Sequence, residues 1–430
     1  MAATAQNQSE EVAVDIKTNA TVHNREMGPD DSVLIEDSCT PDTFDNEIVI
    51  RPNAPQDLPA LLTEYLDAAR RLVYSLETPR EAMVRYCWSQ STIYAAIETC
   101  VDLGVFVSLS KDDTPKTVAE LAKATHADPL LLSRLLKHLS TMGIIVETSE
   151  DTYRCNGFST SLSNKRYSDA YPCMLAPKSA DTVLRTNYIT YGITSLPSFP
   201  QENQLRQPKQ RLPYAFQDGY RTDKHFFELL KEHPTHGAEF NNHMTAYRQG
   251  RPSWMDDGFY PVPSLTEGLN IGADDVLLVD VGGNWPSIPG RLVLQDLPGV
   301  IKQEKWQNQD TQETIEPMSH DFFTEQPVKA YYMHSVLHDW ADADCRRILS
   351  NLVSAMKRGY SKILIKENVI PSNNAYWETT SLDIIMIADF ASQERTEKQW
   401  HALVESVGLM IVKIWTRRRG VENLIECELA

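Results

Sequence analysis

The sequence predicts an α/β fold preceded by a helical, winged-helix domain, and three observations predict it. After Asp274, short and nearly continuous apolar runs alternate with helical patterns, as in a parallel sheet covered on both faces. Residues 115–155 read as helix, turn, helix and β-hairpin. The chain is 430 residues long, more than one ordinary hydrophobic core organises.

In order, residues 1–50 are polar and acidic with few large apolar side chains, and are expected to be a disordered leader. Residues 51–165 are assigned to the helical, winged-helix domain, and 166–430 to connecting helices and the α/β domain. From Pro59 to Glu77 the residues Leu61, Leu62, Tyr65, Leu66, Ala69 and Leu72 recur at helical spacing, with Pro59 in the first turn and Pro79 past the end. A second helix is predicted over Arg85 to Leu103, closed by Gly104. TVAELAKAT forms a short helix, and ADPLLLSRLLKHLSTMGII starts at an Asp-Pro signal and stops at Gly143. Ile144 to Glu147, the turn TSEDT and Tyr153 to Cys155 complete a winged-helix pattern. Such a module binds DNA or pairs two chains. Leu131, Leu132, Leu135, Leu136 and Leu139 crowd the would-be recognition helix around Arg134, Lys137 and His138, which favours pairing. Residues 160–215, rich in Ser, Pro, Gln and Asn, are read as connections and part of a pocket wall. Phe226 to Gly250 is helical again. Strands are predicted over 276–281, 291–296, 330–337 and 362–370, with helices over 341–357 and 396–407.

Composition excludes several function classes. The net charge of −18 argues against nucleic-acid or anionic-membrane partners, which need clustered Lys and Arg. Seven cysteines with no CxxC spacing suit reduced thiols and neither a disulfide framework nor a zinc site; no metal is expected. The first residues carry no basic-then-apolar signal, and no run of 18 apolar residues occurs, so a cytoplasmic location is expected.

Ligands of such sheets bind beyond the carboxyl ends of the strands. The first strand ends Asp280-Val281-Gly282-Gly283, where glycines admit a ligand close to the backbone. The second ends in Asp296, placed to accept hydrogen bonds from ribose hydroxyls. A third end lies near Asp321 and Phe322, a carboxylate and an aromatic ring suited to adenine. Each alone is also what a turn former or helix cap looks like. More specific is HSVLHDW (334–340), which sets His338 after a strand and before a helix. An imidazole there suits acceptance of a phenol or enol proton, with Glu367 and Glu394 available to orient it; a histidine capped by its own helix start is the plain alternative. Phe227, Asn242, Met244, Tyr247, Trp254, Met386 and Phe390 are candidates for the substrate wall or for core.

VLLVDVGG, GRLVLQDLPGVI, SHDFFTEQP, HSVLHDW, SQERTEKQW and GVENLIECELA together resemble the S-adenosylmethionine (SAM)-dependent O-methyltransferases of plant phenolics, and more closely the fungal branch acting on polyketide-type metabolites. The resemblance spans about residues 60–430. It implies a Rossmann-like methyltransferase domain with a winged-helix dimerisation domain, a homodimer, and a small-molecule substrate. It further implies His338 as general base flanked by Glu367 and Glu394, and SAM contacts at Gly282, Asp296, Asp321 and Phe322.

Two features depart from that pattern. Only eight residues, Gly283 to Gly290, precede the second strand, where the family carries a further glycine turn and a helix. A second, smaller gap follows Lys329. The family has an offshoot of methyltransferase-like pericyclases, and a shortened cofactor loop suits it, as does Lys366 as a donor polarising a substrate carbonyl. Lys366 is equally read as a strand-end lysine paired with a nearby acid. Methyl transfer is the first expectation, pericyclic catalysis the second and a non-catalytic dimer partner the third.

Overall fold

The structure is a computed structural model that describes residues 34–35, 48–49, 58–112, 114–175, 216–217, 222–248, 250–265, 276–281, 291–296, 301, 315–323 and 331–430. Apart from β1 (Leu34–Ile35) and β2 (Ile48–Val49), which pair antiparallel, the expected disordered leader lies outside these residues. Two compact units emerge, Met1–Lys178 with Thr235–Tyr247, and Ser179–Pro234 with Arg248–Ala430. The boundary expected at 165/166 therefore shifts, and most of the helix Pro234–Tyr247 joins the first unit rather than the second.

In the first unit the long helix Leu58–Leu76 is followed directly by another whose first residue is Pro79. Thr78 caps it and Glu81 returns the bond, so this proline opens a helix as well as closing one. A π-turn, Arg85–Ser89, interrupts the predicted helix before Gln90–Asp102. The winged helix follows as expected: β3 (Lys116–Thr117), helices Val118–Thr125 and Pro129–Thr141, then β4 (Ile145–Ser149) and β5 (Thr152–Cys155). Asp128 accepts from Leu131 N and Pro129 sits in the first turn, as the Asp-Pro signal predicts. Leu132, Leu136 and Leu139 point into a core with Phe106, Leu121 and Tyr153, while Leu130 and Leu131 face outward.

The second unit is built on β6 (Val276–Val281), β7 (Arg291–Asp296), β8 (Ile315–Ser319), β9 (Tyr331–His334), β10 (Ile363–Glu367), the short β11 (Val369–Ile370) and β12 (Arg395–Thr396), β13 (Leu409–Trp415) and β14 (Asn423–Leu429). Among the described residues the main sheet has seven strands in the order β13-β14-β10-β9-β6-β7-β8. Six of the seven run in one direction, five of them as adjacent parallel neighbours, and β14 runs antiparallel between β10 and β13. Alternate side chains separate two cores. Val279, Val281, Tyr331, Met333, Ile363 and Ile365 pack against helices Asp342–Ala355 and Glu397–Glu405. Leu278, Tyr332, Leu364 and Leu424 pack on the other face against Trp254, Phe259 and Tyr260. β6 and β7 are adjacent and parallel although the stretch between them is shorter than an ordinary helical crossover; that stretch lies outside the described residues.

Candidate active site

β9 is shorter than predicted because Ser335 takes a left-handed conformation, φ 53°, and the chain leaves the sheet at His334. A single 3-10 turn, Leu337–Asp339, then presents His338 at the carboxyl end of the parallel strands. Its Nδ1 lies 2.8 Å from Glu394 Oε1, a hydrogen bond between two largely buried side chains. Asp339 Oδ1 is 3.5 Å from Nε2, outside direct hydrogen bonding.

Glu367 is bound differently from the expectation. Its Oε1 accepts from the amides of Val336 (2.9 Å), Leu337 (2.8 Å) and His338 (3.4 Å), while Oε2 stands 3.9 Å from Nδ1. It therefore supports the turn beneath the imidazole, and direct orientation of the ring falls to Glu394. The three donor atoms of His338, Glu367 and Glu394 lie within 4.8 Å of one another, a grouping their shared hydrogen bonds account for.

Burial alone would push the His338 imidazole down, but the charges of Asp339, Glu367 and Glu394 outweigh it and raise it well above its ordinary range. Burial also lifts Asp339 to about 6, against the opposing pull of His338. Glu367 rises for the same reason. The protonated imidazole is therefore favoured over a wider pH range than in an ordinary histidine, and a base at this position gains as pH rises.

An O-methyltransferase family model matches residues 210–410, and a model of the O-methyltransferase dimerisation domain matches 88–165. The chain is 35% identical over 379 residues to O-methyltransferase mpaG of Penicillium brevicompactum, covering 84% of this chain and 92% of that one. The chain belongs to the O-methyltransferase family. It is also 36% identical over 329 residues to a demethylsterigmatocystin 6-O-methyltransferase of Aspergillus parasiticus, with 73% of this chain and 79% of that one covered. Among solved structures, LepI in complex with SAM is similar at TM-score 0.76 and 28% identity, over 86% of this chain and 94% of that chain. A structure described as a pericyclic reaction enzyme matches with the same values.

The O-methyltransferase domain brings only some of the predicted residues together. Asp280 is buried on β6, and its charge reaches the Tyr332 hydroxyl. Asp296 ends β7 half-buried, and Asp321 is exposed with Oδ1 accepting from Phe323 N. Phe322 stands edge-on to Trp340 at 5.9 Å. Gly282 and Gly283 lie outside the described residues. Met386 is buried in a π-turn, Met386–Phe390, whose Phe390 packs on Phe226 and Phe227. Trp254 is likewise buried, among Tyr260, Tyr332 and Leu364. Asn242 and Met244 lie in the other unit, where Asn242 Nδ2 donates to Asp169 Oδ2 at 2.7 Å. Lys366 is a correction: adjacent to Glu367 on a strand, it faces the opposite side of the sheet, and its Nζ donates to Pro252 O at 3.0 Å. The donor expected to face a substrate is committed to a backbone carbonyl.

Sequence reasoning missed Ser392, Arg395 and Asp389. The first two flank Glu394 within the motif SQERT, yet their bonds are to backbone groups far along the chain. Asp389 is fully buried with both carboxyl oxygens unpartnered among the described residues, and burial raises its carboxyl well above the usual range.

Proposed function

We propose that this O-methyltransferase transfers a methyl group from SAM to a hydroxyl of a polyketide or phenolic secondary metabolite, with His338 as general base, and works as a homodimer. The observation that carries the proposal is the His338–Glu394 pair, a buried imidazole whose Nδ1 is engaged and whose Nε2 is left to the substrate. Glu394 fixes the tautomer with the proton on Nδ1. His338 Nε2 accepts the proton of the attacking hydroxyl, and the charge so formed is stabilised by Glu394 and Asp339. Glu367 holds the turn on which the imidazole rides.

SAM, when bound, supplies the electrophilic methyl group. The residues at the strand ends fit a nucleoside: Asp296 offers a half-buried carboxylate to ribose hydroxyls, and Phe322 an aromatic ring beside Asp321. Asp280, Gly282 and Gly283 complete the proposed set. LepI, a similar structure, is solved with SAM. Aromatic and methionine side chains at Phe227, Met386 and Phe390 suit a flat ring system. Homodimer formation is supported by the dimerisation-domain match and by the helix Leu58–Leu76, which leaves Tyr65, Leu66, Leu72 and Tyr74 half exposed or more. No helix among the described residues is long and apolar enough to cross a membrane.

The second reading is pericyclic catalysis, favoured by likeness to the pericyclic reaction enzyme and by the short, nine-residue link between β6 and β7. The Lys366–Pro252 bond takes away one of its supports. Calorimetric titration with SAM, followed by incubation with hydroxylated aromatic acceptors and mass analysis, separates the two. Methyl transfer predicts saturable binding and a product heavier by one methyl group; binding without any methylated product favours the second reading.

A further inference from the structure

The turn carrying His338 has two long backbone bonds of its own, Asp339 N to Val336 O and Trp340 N to Leu337 O, both at 3.3 Å. It is otherwise held by side chains, Cys345 Sγ among them at Leu337 O and Trp340 O. Its amides at Val336, Leu337 and His338 go to Glu367 Oε1. Its carbonyls also accept from two polar side chains with no role assigned so far. Ser392 Oγ donates to the His338 carbonyl. Arg395 Nη1 donates to Leu337 O and Nη2 to Trp340 O, both at 3.0 Å.

Arg395 is 1% exposed. It is fixed from behind by Asp342 Oδ1 at 2.8 Å and lies over the Trp400 ring at 5.3 Å. Ser392 follows Ala391, which has a φ of 53°. Two non-glycine residues in the left-handed region, Ser335 and Ala391, thus flank the site on its two strands of chain. Such conformations persist where surrounding bonds over-determine them, and they cluster at working sites. The segment 392–395 therefore grips His338 twice: Glu394 holds the ring, while Ser392 and Arg395 hold the backbone on either side of it.

We propose that Ser392 and Arg395 are positioning residues for His338, which lock the carbonyls of its turn so that Nδ1 meets Glu394 and Nε2 keeps one direction. This rests on the reading of His338 as general base. The guanidinium is suited to the task because its rigid planar fork holds two carbonyls in a fixed geometry, which a lysine ammonium on its flexible stem does not impose.

The test uses the full chain with Ser392→Ala and Arg395→Lys. Three properties are measured: SAM affinity by calorimetry, kcat and KM for methyl transfer, and the His338 side-chain 15N signals, identified by their loss in His338→Gln. Misplacement of a catalytic group costs on the order of a hundredfold. Each folded variant is therefore expected to lose about tenfold to a hundredfold in kcat, to keep its SAM affinity, and to show His338 signals whose titration moves toward ordinary histidine. A folded Ser392→Ala protein with unchanged imidazole signals and unchanged kcat overturns the proposal, whether or not Arg395→Lys folds. Moved signals with wild-type turnover in both Ser392→Ala and His338→Gln would support positioning and sink the base assignment instead.

Discussion

Replacing His338 with Gln isolates the proton-transfer step. The main-chain bonds of residue 338, its amide to Glu367 and its carbonyl from Ser392, survive the change. The glutamine amide can still donate to Glu394, so the turn keeps its shape while the proton acceptor is lost. General-base catalysis contributes about 10²–10⁴-fold, equivalent to about 3–5 kcal/mol of barrier at 1.36 kcal/mol per decade. Removing the cation also leaves Asp339, Glu367 and Glu394 facing one another, an arrangement that breaking a buried pair penalises by up to about 3–5 kcal/mol unless protons are taken up. Methyl transfer is therefore measured in single turnover well below the unfolding temperature of the variant, with SAM binding checked in parallel. A fall in the chemical step of that size with SAM affinity retained is the expected result. Turnover equal to wild type would refute the assignment of the base.

Three further outcomes follow from the buried charges. Because the carboxylates hold His338 protonated well above its ordinary range, the rate of methyl transfer should rise with pH above neutrality, and Glu394→Gln should move that rise to lower pH; a profile flat from pH 6 to 9, on the order of the window a shifted histidine spans, contradicts this. His334, buried on β9 beside Lys366, is depressed to about 3 from the ordinary 6.5 by burial and by that lysine. Its contribution to stability is complete above pH 6.5 and is lost as pH falls toward 3, on the order of 5 kcal/mol in all. His334→Asn should shift acid unfolding to lower pH, as followed by circular dichroism. Burial raises the unpartnered Asp389, so its neutral form is the stable one and its cost grows as pH rises above the unfolded carboxyl range. Asp389→Asn should then raise the melting temperature at pH 8, roughly the alkaline end of the stable range, more than at pH 5; an equal effect at both would show that the carboxyl is not the source.

Much of this was legible in the sequence for a physical reason. Parallel strands buried on both faces must be apolar throughout, and VLLVDV, RLVLQD and KILIKE show it. Their carboxyl ends then locate Asp296, His338 and Glu367 without coordinates. β13 and β14 escaped because LMIVKIW and NLIECEL carry charges within antiparallel strands, and Glu426 is buried against Tyr260, Lys362 and Trp415. Lys366 and Glu367 could not be read as one site from adjacency, because neighbours on a strand point to opposite faces; that Glu367 meets the amides of the His338 turn depends on tertiary geometry. The Arg395 clamp was invisible because its bonds to Leu337 and Trp340 cross more than fifty residues, and only tertiary structure reveals such partners. Trp254 and Met386 looked alike as apolar pocket candidates. Both are buried, Trp254 among Tyr260, Tyr332 and Leu364 and Met386 in the turn that carries Phe390, so their different neighbours separate them, which spacing does not carry.

The most direct test is a crystal structure of the ternary complex with demethylated SAM and an accepted hydroxylated substrate. The acceptor oxygen should lie about 3 Å from His338 Nε2, with Nδ1 still on Glu394 and the nucleoside ribose on Asp296. An acceptor oxygen bound away from the imidazole, or an Nε2 turned onto Asp339 with no substrate contact, would contradict the account.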